Sequence, residues 1–321
     1  MVAAGLSRSL KGPAFRMTTK PVSAGTPDLA AARRESMMGV GFGLSAFLFW
    51  GIAPLYFKLV QHVAPVEILA HRIVWSAGLL ALLVWVMGRW REVATVLTSR
   101  RLLLPLIGSA TILAGNWFVY IVAVNEGHVL QASLGYYINP LVNVLLGMLF
   151  LKERLRLPQS IAVGLATTGV LVMVAAAGEA PWVALFLGFS FGFYGLIRKL
   201  VRVESMVAVF IEAAVLVPPA LIFLVYRGQT GGGSFGAVDL RTDLLLIAAG
   251  LVTLLPLVWF GAAARRLSLS TLGILQYIAP TGQFLLAVLL FGEIFTPVHM
   301  VTFACIWAGL AIYTIDALRR S

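Results

Sequence analysis

The sequence predicts an all-α polytopic membrane protein whose ten transmembrane helices form two inverted five-helix repeats. Three observations predict it: an apolar composition with few charges, ten apolar windows separated by polar or turn residues, and an internal repeat at a nearly constant offset. The 321 residues are 60% hydrophobic and only 12% charged, whereas soluble domains are about a quarter charged. A soluble core cannot absorb this much apolar surface; a bilayer can, at about 20 apolar residues per helical span.

The windows run approximately over residues 39–60, 66–87, 103–124, 129–151, 157–176, 179–198, 205–226, 243–264, 270–291 and 297–318. The formal charge of +11 follows topology. With the amino terminus cytoplasmic and each window crossing once, twenty of the 24 Lys and Arg residues fall on the cytoplasmic side. Only Arg227 and Arg241 fall in external loops, while Lys58 and Arg72 belong to spans. The positive-inside rule then places both termini in the cytoplasm. The basic excess reports orientation and contact with the lipid bilayer, and is no nucleic-acid signature. Residues 1–38 are basic and rich in Ser, Pro and Gly, with no apolar h-region of a secretory signal; they read as a disordered cytoplasmic tail. Residues 319–321 form a short cytoplasmic end. The single cysteine, Cys305, lies in the last window and offers neither an intramolecular disulfide nor a metal cluster.

The repeat divides the rest. YINPLVNVLLGMLFLKE (137–153) returns as YIAPTGQFLLAVLLFGE (277–293), with Pro140 and Glu153 matching Pro280 and Glu293. GIAPLYFKLV (51–60) likewise returns as GFYGLIRKLV (192–201). The halves are therefore residues 39–178 and 179–318. Each holds an odd number of spans, so the second must cross the membrane in the opposite sense to the first. Inverted repeats of this kind build alternating access around a site at the midplane.

Polar residues inside the spans are the functional candidates, because they are costly there and face a cavity or a partner. Pro140 and Pro280 fall near the middle of spans four and nine, where each frees a backbone carbonyl that must face protein or water. Tyr136, Asn139 and Asn143 share one helical face, as do Gln276, Pro280 and Gln283; both faces read as cavity lining or as interhelical amide glue. In span two, Arg72 lies about 9 Å beyond the start at 1.5 Å per residue and reads as an anion contact, an outer gate or a structural cation. His71 beside it reads as a titratable or structural histidine, and Glu67 as solvated near the outer surface. Glu212 in span seven is a candidate protonatable coupling group, roughly 10 Å from Arg72 along the membrane normal in a core of about 30 Å. Asn116 and Tyr120, with Trp117 alongside, make a polar-aromatic face on span three. Glu153 and Glu293 end their spans as interface residues or as an inner and outer gating pair.

Several motifs fail on context. GFSFG (188–192) matches a serine-nucleophile pentad but lies inside an apolar span, where its glycines read as a helix-packing face. GGGSFG (231–236) follows no strand and lies in an external loop. No nucleotide-motor loop or metal-ligand spacing occurs, so no cofactor and no metal are expected.

The segments FWGIAPLYFKLV, VEILAHRIVWSAG, NWFVYIVAVNEGHVLQASLGYYINPLVNVLLGMLFLKE and LQYIAPTGQFLLAVLLFGE resemble the drug/metabolite transporter superfamily of EamA type, in its RarD-like, chloramphenicol-sensitivity group. That resemblance spans residues 39 to about 318 and implies ten helices in two inverted repeats, a bacterial inner-membrane location and transport. The expected function is secondary transport, with export the expected direction, of a small metabolite or drug-like solute, downhill or coupled to protons. Rival readings are a membrane-embedded lipid-modifying enzyme and a non-transporting partner or sensor. Internal duplication makes a working monomer sufficient and leaves a dimer open.

Overall fold

The computed structural model describes residues 29–152, 156–177, 180–267, 271–272 and 275–319. Residues 1–28 and the gating candidate Glu153 lie outside them. The described residues form helices and connections, with no strand. The long helices are α1 (Leu29–Leu59), α2 (Pro65–Val86), α4 (Arg100–Asn125), α5 (Val129–Leu151), α6 (Leu157–Ala177), α7 (Trp182–Leu200), α8 (Ser205–Gln229), α9 (Leu240–Ala264) and α11 (Pro297–Leu318). All nine are long and apolar enough to cross a membrane.

Span nine departs from the other windows. Its helix α10 covers only Ile278–Leu285 and passes into a π-helical turn at Leu286–Leu290. The chain turns at Gln276 and Tyr277 just before it, so Pro280 sits in the first turn of a helix. There its missing N–H would have had no intrahelical partner anyway. The expectation that Pro280 breaks mid-span is corrected: the break comes before it. Pro140, by contrast, lies inside continuous α5.

Helix ends follow local chemistry. Pro65 opens α2, and Gly88, at φ 67°, ends the path beyond it in the left-handed conformation that glycine adopts freely. Glu204 caps α8 by accepting from the amides of Met206 and Val207, and Asp239 caps α9 through the Thr242 amide at 2.6 Å. The capping bond with Thr242 holds the Asp239 carboxyl below its usual range. One helix was not expected: α3 (Trp90–Thr98), too short to span. It lies between α2 and α4, buries Val93 and Val96, and is tied down by Arg89, which pairs with Glu92 at 2.8 Å and Glu204 at 2.9 Å.

Helix packing shows an exchange pattern. α1 packs on α9 and α10, and α7 packs on α4 and α5; α2 packs on α9, and α8 on α4. Replacing each span by the one five places along turns the first member of each pair of statements into the second. The remaining major pairs, α2 with α8, α6 with α11 and α5 with α10, map onto themselves. Close approaches match as well. A Cβ on Gly282 would stand 3.0 Å from the Gly51 backbone where α10 meets α1, and one on Gly192 would stand 2.8 Å from Val142 where α7 meets α5.

Candidate functional site

Helices of both halves converge on one cation. Arg72, about 10 Å inside the start of α2 at 1.5 Å per residue, donates from Nε to Thr253 Oγ1 on α9 at 2.7 Å. The Thr253 hydroxyl gives its own hydrogen to the Ala249 carbonyl at 2.9 Å, so only its lone pairs remain for the guanidinium. The guanidinium carbon stands 4.1 Å from the Trp117 ring centroid and 5.9 Å from that of Phe57. A stacked guanidinium is stabilised by about 2 kcal/mol when desolvated. Tyr56, Tyr120 and Tyr136 are near enough to feel its charge. Among the described residues no carboxylate is within ion-pair distance of it, and neither Nη atom has a hydrogen-bond partner.

The tyrosines join this cation to a polar row. Tyr120 packs on Phe57 and Tyr136, with ring centroids 5.7 and 5.8 Å apart, and its buried hydroxyl has no hydrogen-bond partner. Tyr136 donates to Asn116 Oδ1 at 3.4 Å, and Asn116 Nδ2 donates to the Leu187 carbonyl at 3.1 Å and Ser190 Oγ at 2.9 Å. Asn116 thereby ties α4 to α5 and α7. Ser190, the centre of the GFSFG pentad, is used up in helix contacts, while Gly188 and Gly192 admit Ile138 and Val142 of α5.

A second cluster lies toward the end where the basic residues gather. Glu212 of α8 is buried, accepts from Ser109 Oγ at 2.6 Å and from the Tyr194 hydroxyl at 3.2 Å, and has Arg198 Nε at 3.9 Å. Arg198 lies in the last turn of α7, is 14% exposed and turns inward toward Glu212. Arg72 and Glu212 do not pair; each has its own partners. A crevice of about 400 Å³ near this end is lined by Leu102, Pro105, Ile197, Arg101 and Arg202 and holds none of these polar groups.

The opposite end is held by two carboxylates. Glu67, expected to be solvated, is 1% exposed. It accepts the Ser234 amide at 2.6 Å and the Ser234 hydroxyl at 3.2 Å, with Arg227 at 3.9 Å. The GGGSFG loop folds over it because backbone donors are the way to bury a carboxylate there. His71 packs against Phe235 of the same loop, with centroids 4.9 Å apart, and its Nε2 is buried without a partner. Glu293 accepts the amides of Val129 and Leu130, each at 2.7 Å, capping α5 from the far half of the chain. Burial raises its carboxyl above the ordinary range, and the two amides pull in the other direction.

Of the ten residues proposed to line a cavity, Arg72, Asn116, Trp117, Tyr120 and Tyr136 form one cluster. The others do not join it. His71 faces the loop. Asn139 donates to the Gly188 carbonyl at 3.2 Å, Asn143 to Asn139 Oδ1 at 3.2 Å, and Gln283 to the Trp50 carbonyl at 3.2 Å. These amides sit at or beside the α5–α7 and α10–α1 contacts. Gln276 lies in the turn before α10. Thr253, Phe57, Ser109, Tyr194 and Arg198 were missed. Only the need of a buried Glu212 for donors could have pointed to the last three.

The first half matches the EamA-like transporter family over residues 37–175. An uncharacterized transporter of Vibrio cholerae is 47% identical over 92% of this chain and 96% of its own. Protein RarD of Escherichia coli is 47% identical over 89% of this chain and 96% of its own. A chloramphenicol-sensitive protein RarD of Pseudomonas aeruginosa is 32% identical over 89% and 96%. A solved crystal structure matches with a TM-score of 0.58 at 21% identity, covering 87% of this chain and 98% of its own; that likeness concerns the fold alone. With such identity over nearly the full length of its relatives, this multi-pass membrane protein belongs to the EamA-like transporter family, in the RarD-like group of drug/metabolite transporters.

Proposed function

We propose that the chain is a secondary transporter that exports a small metabolite or drug-like solute by alternating access, carrying the solute without transforming it. The observation that carries this reading is the exchange pattern of helix packing: each major contact either has its counterpart five spans along or maps onto itself. Two units of one fold and opposite orientation can trade conformations, and the trade opens a shared centre first to one side and then to the other. The Arg72 cluster, with Trp117 and Tyr120 from one half and Thr253 from the other, lies at that centre. Glu212 is the coupling site in this reading, since a buried carboxylate held by two hydroxyls can take up and release a proton. The bacterial sources of the relatives and the clustering of Lys and Arg support an inner-membrane protein with both termini in the cytoplasm.

The test is flux into proteoliposomes containing only this protein, across amino acids, small carboxylates, nucleosides and chloramphenicol, with and without an imposed pH gradient. Saturable flux that collapses in Arg72→Ala is the expected result. Protein that is folded by circular dichroism yet moves none of these compounds would count against transport.

A further inference from the structure

We propose that the Arg72 cluster is a binding site for a monocarboxylate with a flat, apolar or aromatic body, and that zwitterionic amino acids are poor ligands. This inference rests on the transport reading and names the substrate class of its central site.

Charge comes first. Arg72 is a cation inside an apolar bundle, and an unpaired ion there costs several kcal/mol even after relaxation. Ring stacking and the Thr253 hydroxyl offset part of that cost. What they leave unused is the edge of the guanidinium: Nε is committed, both Nη atoms have no partner, and no carboxylate of the described residues approaches. A monoanion neutralises this site. A dianion, such as a phosphate monoester, would leave a net negative charge in the same apolar surroundings.

Geometry narrows the anion. The fork of an arginine matches a planar carboxylate through two parallel N–H···O bonds. Tyr120 supplies a second, independent pointer. It is 5% exposed, its hydroxyl has no partner, and it lies within reach of the charge of Arg72. Buried hydroxyls are almost always bonded, so an idle donor whose ring packs on Phe57, the ring that the guanidinium also faces, marks the place of an absent acceptor. A carboxylate oxygen satisfies both.

The walls and the missing groups decide the rest. Phe57 and Trp117 face the guanidinium, Tyr136 packs on Tyr120, and Phe191 packs edge-on against Tyr136; these rings offer apolar contact to a flat body. An amino-acid ammonium would need a carboxylate or several free acceptors. Asn116 Oδ1 already faces the Tyr136 hydroxyl, and the Thr253 lone pairs face Arg72.

Binding to the purified full-length protein in detergent is measured by titration calorimetry. The probes are 3-phenylpropionate, its amide 3-phenylpropanamide, phenylalanine and phenyl phosphate. The expected result is that 3-phenylpropionate binds at least about tenfold more tightly than the other three, as expected for hydrogen bonds to a charged group. Arg72→Lys, which keeps the charge and loses the fork, and Tyr120→Phe, which loses only the hydroxyl, each weaken it by about tenfold. Tyr120→Phe leaves the unfolding temperature of the empty protein unchanged or raised, because it removes a buried hydroxyl with no partner; a purely structural tyrosine would lower it. Equal binding of the amide, stronger binding of phenylalanine or phenyl phosphate, wild-type affinity in both variants, or no binding of 3-phenylpropionate overturns the assignment. Uptake of labelled 3-phenylpropionate and of chloramphenicol into proteoliposomes separates the two claims. Carboxylate binding without flux of either compound sinks transport and keeps the site. Chloramphenicol flux without carboxylate binding keeps transport and sinks the site.

Discussion

Glu293 and Val129 are 164 residues apart in sequence, yet a Glu293 carboxylate oxygen accepts the Val129 amide at 2.7 Å while its other oxygen accepts the Leu130 amide at the same distance. These amides open α5, whose own flanking residue His128 supplies no side-chain cap. The first amides of a helix have no intrahelical partner and carry the positive end of its dipole, so one distant carboxylate does the work of a local cap. Glu293→Ala is expected to cost about 1–2 kcal/mol. Amide hydrogen exchange at Val129 and Leu130 should quicken well beyond that of residues deeper in α5. Unchanged exchange at both amides would mean that the contact does not hold the helix start.

The Arg72–Thr253 bond joins α2 to α9, and its strength can be isolated. Thr253→Val keeps the side-chain shape and removes the acceptor of Nε. A hydrogen bond to a charged group contributes about 1.5–3 kcal/mol in soluble proteins, but membrane cycles average nearer 0.6. The expected loss is therefore about 1–2 kcal/mol, read from thermal unfolding. In an Arg72→Gln background the same change should cost about half a kcal/mol or less. Equal losses in both backgrounds would assign the effect to Thr253 packing rather than to the bond.

Hydropathy and length made the ten spans legible, because the bilayer imposes one rule on every segment. The repeat was legible because Pro140 and Pro280, or Glu153 and Glu293, carry distinctive chemistry at one spacing. α3 escaped because nine residues with a short apolar face look like any interfacial loop. Glu67 was misread because a carboxylate near a span end is ordinarily solvated, and its partner Ser234 lies 167 residues away in a glycine-rich loop. The amides Asn139 and Gln283 showed polarity in the right helices, but helical periodicity cannot distinguish a face toward the centre from one toward a neighbour. Trp117 and Arg72 lie together because α4 packs against α2, a relation that no spacing within one helix records.

The pairing of α6 with α11 depends on close backbone approach. A Cβ on Gly309 would stand 2.7 Å from the Ala162 carbonyl oxygen, a backbone atom that cannot swing aside. Gly164, also on α6, has nothing within 4 Å of where its Cβ would be. Gly309→Ala should therefore destabilise by about 1–3 kcal/mol, as overpacking does. Gly164→Ala should be neutral or gain up to about 1 kcal/mol, the helix preference for alanine over glycine. Opposite shifts in unfolding temperature are the check; shifts of equal sign and size would show that α6 and α11 separate easily.

Glu212 carries the most demanding prediction, because stability and function should separate there. Its carboxylate is the only one of the described residues paired with Arg198. Arg198 Nη1 is itself buried without a hydrogen bond. Glu212→Ala strips the counter-charge from that arginine and removes the acceptor of the Tyr194 hydroxyl, while the Ser109 hydroxyl keeps only the Leu106 carbonyl. A loss of about 3 kcal/mol follows from breaking a buried pair on one side. Glu212→Gln keeps an acceptor for Ser109 and fills the same volume, so it should cost about 1 kcal/mol and leave the fold intact. It cannot release a proton, however. If Glu212 couples transport to protons, flux in Glu212→Gln proteoliposomes should persist at the rate seen without a pH gradient and no longer rise when one is imposed. A variant that still responds to the gradient would place coupling elsewhere and leave Glu212 as the structural partner of Arg198.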